Sequence, residues 1–311
     1  MTILVTGGAG FIGSHIVDAL LAAGHDVHIL DDLSGGFRHN VPPGAILHEF
    51  DVRDPDLANL WKEYGYEVVF HLAAQMDVRR SVADPAFDAD VNIGGLLNVL
   101  EAGRSRGLRH VIFSSTGGAI YGEPQYVPQD EEHLLNPLSP YGITKLCSEK
   151  YLHFYHHTYD ISWTALRYGN VYGPRQNPHG EAGVVAIFAQ RLLAGLPTVV
   201  NGDGQQTRDY VHVRDVVAAN MAALEKRCVG TINIGTGVET NVNQLFRIVR
   251  DTVAPGVAVK HGPGKPGEQR RSVLSWAKAQ RSLDWKPTIG VEDGLRETAA
   301  WFMQQNTINR P

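Results

Sequence analysis

Residues 2–6, Thr-Ile-Leu-Val-Thr, lead directly into Gly7-Gly8-Ala9-Gly10-Phe11-Ile12-Gly13, and Ile12, Ile16, Val17, Leu20 and Leu21 then recur at helical spacing until Gly24. A β-branched run, a glycine turn and an apolar-striped helix, in that order, leave few folds open. Glycine permits the tight turn, lets a pyrophosphate reach the backbone and lets helix and strand approach. The helix N-terminus adds amide donors and partial positive charge. Gly7, Gly10 and Gly13 are therefore expected to form a phosphate turn. Asp31 closes a second apolar run at residues 27–30, about twenty residues beyond the turn, where a carboxylate accepts both hydroxyls of an adenosine ribose and repels a 2′-phosphate. NAD is thus favoured over NADP. Asp51-Val52, after another short strand, either flanks the adenine or belongs to a helix cap.

Residues 68–70 and 111–113 read as further buried strands, with helical segments between them. Continuous apolar strands alternating with helices indicate a parallel sheet covered on both faces. The expected fold is α/β: a Rossmann-like doubly wound parallel sheet with a smaller C-terminal α/β substrate-binding domain. Beyond residue 170 the alternation loosens, through Gly173-Pro174 and Asn177-Pro178, before an apolar segment at residues 184–193. We place an NAD-binding domain at residues 1–170 and the second domain at 171–311, with segments near 208–236 returning to the first.

With 311 residues the chain is long enough for one large or two joined domains. Its 43% hydrophobic and 20% charged residues argue against disorder or a low-complexity scaffold. The net charge of -5 gives no electrostatic footprint for nucleic acid or an anionic membrane. Cys147 and Cys228 supply neither a disulfide framework nor a CxxC pair. With no leader-like N-terminus and no long apolar run, a cytoplasmic protein is expected.

Tyr141 and Lys145 form Y-x-x-x-K, and on a helix that spacing puts phenol and ammonium on one face. A nearby cation, together with a positive nicotinamide ring, is expected to lower the phenol pKa and make Tyr141 a proton acceptor. Ser114-Ser115-Thr116 stands upstream at a strand end.

The ordered series TGGAGFIGSH (6–15), DDL (31–33), HLAAQ (71–75), SSTGGAIYG (114–122), SPYGITK (139–145), RYGNVYGPRQ (167–176) and RDYVHVRD (208–215) resembles the extended short-chain dehydrogenase/reductases, and most of all the UDP-glucose 4-epimerase family. The resemblance spans nearly the whole chain. It implies NAD-dependent C4 epimerisation of a nucleotide sugar through a transient 4-keto form, with UDP-glucose and UDP-galactose as substrates. It implies that Phe11 and Ile12 join the glycine turn around the pyrophosphate, that Asp31, Asp32 and Ser34 hold the ribose, and that Asp51 and Val52 lie near the adenine. Leu72, Ala73, Ala74, Gln75 and Tyr168 would line the cofactor path, and Lys145 would also bind the nicotinamide ribose. Tyr141 would take the proton of the sugar 4-hydroxyl. Thr116 would be the partner hydroxyl, with Ser115 as the alternative, because one extra residue precedes Tyr121 relative to the commoner S-S-S-A-T-V-Y-G. Thr116, Tyr141, Asn170, Arg208, Lys265, Glu268 and Ser272 would touch the substrate, Arg208 at its diphosphate. Relatives dimerise through the helix carrying Leu96 and Leu100 and the one carrying Tyr141, so a homodimer is expected.

Relatives that dehydrate nucleotide sugars carry an Asp-Glu pair after the catalytic hydroxyl, whereas Thr116 is followed by Gly117 and Gly118. Lys265-Pro266-Gly267-Glu268 replaces the usual Arg-x-Gly-Asp. Ser272 stands where bulk gates the C2 substituent, and its small side chain is expected to admit an N-acetyl group. A UDP-glucuronate 4-epimerase, a 4-ketoreductase and a non-catalytic NAD-binding module are the other readings. His153 and His157 are four apart, but no acids complete a metal site there, and no metal is expected.

Overall fold

The structure is a computed structural model and describes residues 1–178, 183–264 and 269–308. The apolar runs form β1 (Thr2–Thr6), β2 (Asp26–Leu30), β3 (Ile46–His48), β4 (Val68–His71), β5 (His110–Thr116) and β6 (Ser162–Tyr168). After β7 (Asn170–Tyr172), β8 (Val199–Asn201) and β9 (Thr207–His212), the chain returns with β10 (Gly230–Ile234). Seven strands pair in the order β10-β6-β5-β4-β1-β2-β3, and each pairing is parallel.

Successive strand residues serve opposite faces. Ile3 and Val5 pack with Ile16, Val17 and Leu20 of α1 (Phe11–Ala22) and with Val216 and Ala219 of α9 (Val213–Lys226). Leu4, between them, packs with Leu57 and Trp61 of α2 (Leu57–Tyr64), Leu96 and Leu100 of α5 (Gly95–Gly103) and Leu152 of α7 (Pro140–Tyr159). Burial of each such aliphatic side chain stabilises the fold by roughly 1.5–3 kcal/mol. The two apolar faces are what the doubly wound arrangement requires.

Between β4 and α5 lie α3 (Val78–Ala83), α4 (Pro85–Ala89) and one π turn (Asp90–Gly94); α6 (Gly117–Ile120) follows β5. The second region holds α8 (Val184–Leu193), α10 (Val242–Val253) and α12 (Val291–Ile308), with β11 (Glu239–Asn241) and β12 (Lys260–Gly262), while α11 (Ala277–Leu283) packs Ala279 and Leu283 into the core of the main sheet. Its small sheets are β11-β9-β7 and β12-β8. A separate apolar cluster joins Phe188, Phe246, Leu245 and Leu295 there.

The register pairs Thr6 with both Leu30 and His71, and Thr116 with Tyr168. The C-terminal ends of these strands therefore form one edge. That edge includes the switch point between β1 and β4, where open parallel sheets bind ligands.

Candidate active site

Gly7 adopts φ 70, and a Cβ added there would stand 2.8 Å from the Ala73 nitrogen. At Gly13 a Cβ would stand 2.2 Å from the Gly7 oxygen, so only glycine lets α1 begin this close to the turn. No side chain caps α1, whose N-cap is Gly10, and its first turn carries Phe11 and Ile12 at the sheet edge. Asp31 is buried beside the turn, where its carboxylate accepts the Ala9 and Leu33 amides, each at 2.9 Å. Burial raises its pKa, and these two hydrogen bonds oppose the rise. A backbone cradle that excludes Cβ atoms, an uncapped helix N-terminus and a fixed carboxylate fit the pyrophosphate and adenosine ribose of NAD.

The neighbouring expectations divide. Asp32 is exposed and accepts the Ser34 amide at 3.0 Å and its hydroxyl at 2.6 Å, so these two side chains serve each other. Val52 is a core residue, and a Cβ on Gly95 would stand 2.5 Å from it. Asp51 binds Arg53 through its amide at 2.8 Å and its guanidinium. Neither caps α2, which starts after Asp56. The Leu72 amide donates to the Thr6 carbonyl at 3.0 Å and the Ala73 amide to the Thr6 hydroxyl at 3.2 Å, and Ala74 is half-buried beyond them. The Gln75 side chain donates to Asp88 at 2.8 Å and accepts from the Asp77 amide at 2.7 Å, so it braces the loop after β4. Tyr168 lies in the core, and its hydroxyl accepts from Asn220 of α9 at 2.8 Å.

Ser139 accepts the Gly142 amide at 3.2 Å and Pro140 opens the helix, giving α7 a defined start. One turn in, Lys145 Nζ donates to the Ser114 carbonyl at 2.9 Å and lies 5.9 Å from the Tyr141 ring centre. Burial lowers Lys145 to about 8, against the pull of Asp88 and Glu149. Burial, and then the Asp88 charge, raise the Tyr141 phenol well above its ordinary value.

Ser115 and Thr116 separate clearly. Ser115 is buried and donates to Glu149 Oε1 at 2.7 Å. Its hydroxyl is thus engaged by that carboxylate. Thr116 is half-buried, and its oxygen accepts the Ala119 amide at 3.2 Å, which caps α6. A Cβ on Gly118 would lie 4.0 Å from Thr116 Oγ1 and 3.6 Å from Asn170 Oδ1, so these two polar groups flank one glycine.

Asn170 opens β7, which pairs with β9, the strand carrying Arg208. Arg208 is half-buried and donates to the Thr207 carbonyl at 2.8 Å. Asp209 ties β9 to the segment holding Ser272, accepting the Leu274 amide at 3.1 Å and the Thr236 amide at 2.7 Å. Ser272 is buried. Lys265 and Glu268 lie outside the described residues.

The sequence profile of the NAD dependent epimerase/dehydratase family matches residues 3–235. The chain belongs to that family. Among epimerase/dehydratase proteins, it is 45% identical to the UDP-glucose 4-epimerase of Mycolicibacterium smegmatis, across 98% of this chain and 100% of the relative. The crystal structure of UDP-glucose 4-epimerase with UDP-glucose from Thermotoga maritima is similar at TM-score 0.95 and 46% identity, covering 98% of this chain and 100% of that one. The Thermus thermophilus UDP-glucose 4-epimerase complex with NAD is similar at TM-score 0.93 and 45% identity, covering 97% and 99%.

Two buried networks of this epimerase/dehydratase chain escaped the sequence reading. Glu149 takes Arg167 through two bonds, at 2.9 and 2.7 Å, and Arg167 also reaches the Tyr121 hydroxyl at 2.9 Å. Asp88 gathers Gln75, Asn92 and Thr144. The available signals were the i,i+4 spacings of Lys145 with Glu149 and of Asp88 with Asn92. Among the described residues, no group of three His, Cys, Asp or Glu could hold a metal ion, and no helix is long and apolar enough to cross a membrane.

Proposed function

We propose that the protein epimerises a UDP-linked hexose at C4 with NAD as resident cofactor, acting on UDP-glucose and UDP-galactose and also on the UDP-GlcNAc and UDP-GalNAc pair. One observation carries this reading: Tyr141, Lys145 and Thr116 belong to the same sheet edge as a dinucleotide turn, with Gly117 and Gly118 where dehydration would need acids. When bound, NAD supplies a reversible hydride acceptor at its nicotinamide ring. The glycine turn, Phe11, Ile12 and Asp31 hold it. Tyr141 accepts and returns the proton of the sugar 4-hydroxyl, and Thr116 shares a hydrogen bond with that oxygen. Lys145, fixed to the Ser114 carbonyl, keeps positive charge beside the phenol. Asn170 meets the sugar nucleotide and the Arg208 guanidinium its diphosphate.

The small side chain of Ser272 supports acceptance of a C2 N-acetyl group. The test is NMR of UDP-glucose, UDP-galactose, UDP-GlcNAc and UDP-glucuronate, each incubated with wild type and with Tyr141→Phe. Equilibration of C4 epimers by wild type alone is expected for the first three. Turnover of UDP-glucose without UDP-GlcNAc removes the N-acetyl claim, and no turnover of any of the four removes the epimerase reading.

Ile143, Tyr151 and Phe154 are exposed apolar residues on α7, and they support a homodimer formed through α5 and α7. Phe154→Glu is expected to give a monomer in sedimentation velocity. Cys147 and Cys228 are free thiols, which suits a reducing cytoplasm.

A further inference from the structure

We propose that Asp88 is a positioning residue for the reaction assigned above: it locks the Tyr141–Lys145 turn of α7 to the loop after β4 and sets a negative charge beside both groups. Asp88 is fully buried on α4. Its Oδ1 accepts Gln75 Nε2 at 2.8 Å and Asn92 Nδ2 at 3.1 Å, and its Oδ2 accepts the Thr144 hydroxyl at 2.9 Å. Thr144 lies between Tyr141 and Lys145 in α7. Asn92 belongs to the π turn and accepts the Gln75 amide at 2.8 Å, so one carboxylate joins three elements around the proposed proton acceptor. A π turn interrupts helical bonding and commonly marks a functional position.

The charges around the site show why Asp88 stands apart. Glu149, one turn beyond Lys145, also raises the lysine but is paired with the Arg167 fork from β6. His71 on β4 is buried and its pKa is lowered to about 3, first by burial and then by Lys145. Arg80 of α3 lies 4.1 Å from the Phe87 ring centre, Arg79 is exposed beside it, and Asp90 of the π turn pairs with Arg53 at 2.7 Å. The Asp88 carboxylate accepts from two side-chain amides and a hydroxyl, all neutral. Its charge is therefore uncompensated by those bonds. It opposes the effect of burial on Lys145, keeping the ammonium, and adds to the rise of Tyr141.

Asp88→Asn tests this directly, because the amide keeps the shape, still accepts from Gln75 and Asn92, and can donate to Thr144 Oγ1. It removes the charge and leaves the frame. The readout is the NMR titration of the Lys145 Cε resonance in the purified full-length protein, assigned by its loss in Lys145→Met. In Asp88→Asn the Lys145 midpoint is expected to fall by about one pH unit, a tenfold change in its protonation equilibrium, and the alkaline limb of kcat/KM to follow. An unmoved midpoint overturns the proposal.

Thr144→Val keeps the charge and cuts the link to α7. It is expected to lower kcat about tenfold, with KM and the Lys145 midpoint unchanged. Full kcat in Thr144→Val overturns the positioning role, and it decides the matter if Asp88→Asn does not fold. The lysine titration needs no substrate, so failure of the epimerase reading and failure of this one are distinguishable.

Discussion

Arg167 lays its guanidinium along the Glu149 carboxylate, Nε to Oε1 at 2.9 Å and Nη2 to Oε2 at 2.7 Å, with each side chain 3% exposed. A pair this buried contributes little net stability when complete, because desolvation offsets the attraction, but losing one partner strands the other charge. Arg167→Leu is expected to destabilise the fold by about 3–5 kcal/mol in urea unfolding, and Glu149→Leu/Arg167→Leu to recover much of the loss. A double variant no more stable than the single would contradict this account.

The adjacent hydroxyls of Ser115 and Thr116 are predicted to have separable roles. Thr116→Val should reduce kcat about 10²-fold with little change in stability, as when a hydrogen bond formed in the transition state is deleted. Ser115→Ala should leave kcat within a few-fold and reduce stability by about 1.5–3 kcal/mol, since its partner is a charged carboxylate. Steady-state kinetics and unfolding on both variants check the division, and a reversed result would make Ser115 the catalytic hydroxyl.

Gly13→Ala places a methyl 2.2 Å from the Gly7 carbonyl oxygen, far inside van der Waals contact. The chain is expected to fold with a penalty of about 1–3 kcal/mol and to lose its hold on the cofactor. Fluorometric assay of NAD released on denaturing the purified proteins measures this. Equal stoichiometry in variant and wild type would show that the turn tolerates a side chain.

Stability is expected to decline in mild acid. His71, His110 and His212 are lowered from 6.5 to about 3, about 4 and about 4, in each case chiefly by burial. The unfolded chain therefore binds protons near pH 6.5 that the folded chain refuses until lower pH. Stability is full above that value and falls as pH drops. Urea midpoints between about pH 7.5 and about pH 5 should decrease, and His110→Gln should shed about one proton of that dependence. A flat profile would mean that these imidazoles are not neutral in the folded protein.

The parts visible in the sequence were those written locally. The glycine turn, Asp31 and the Tyr141–Lys145 spacing each lie within a short stretch whose geometry follows from one element. The direction of Ser115 was not local. It is settled by Glu149, which is 34 residues away in sequence. Tyr168 likewise depends on Asn220, 52 residues on. Asp88 sits on a five-residue helix, too short to show a periodicity, and its partners come from three separate segments. The rise of the Tyr141 phenol follows from packing, which spacing alone does not reveal.

The return of β10 to the main sheet also bears on how the protein is made. Until residues 230–234 have been synthesised, β6 has only β5 beside it, and its outer row of amides and carbonyls is open. A ribosome-bound chain that has emerged only through β9 therefore carries a nearly finished nucleotide fold with an unprotected flank, the kind of edge on which strands from other chains add. Completion of the seven-stranded sheet therefore comes late in translation, with the same five residues, and moves its open flank from the seven-residue β6 to the shorter β10.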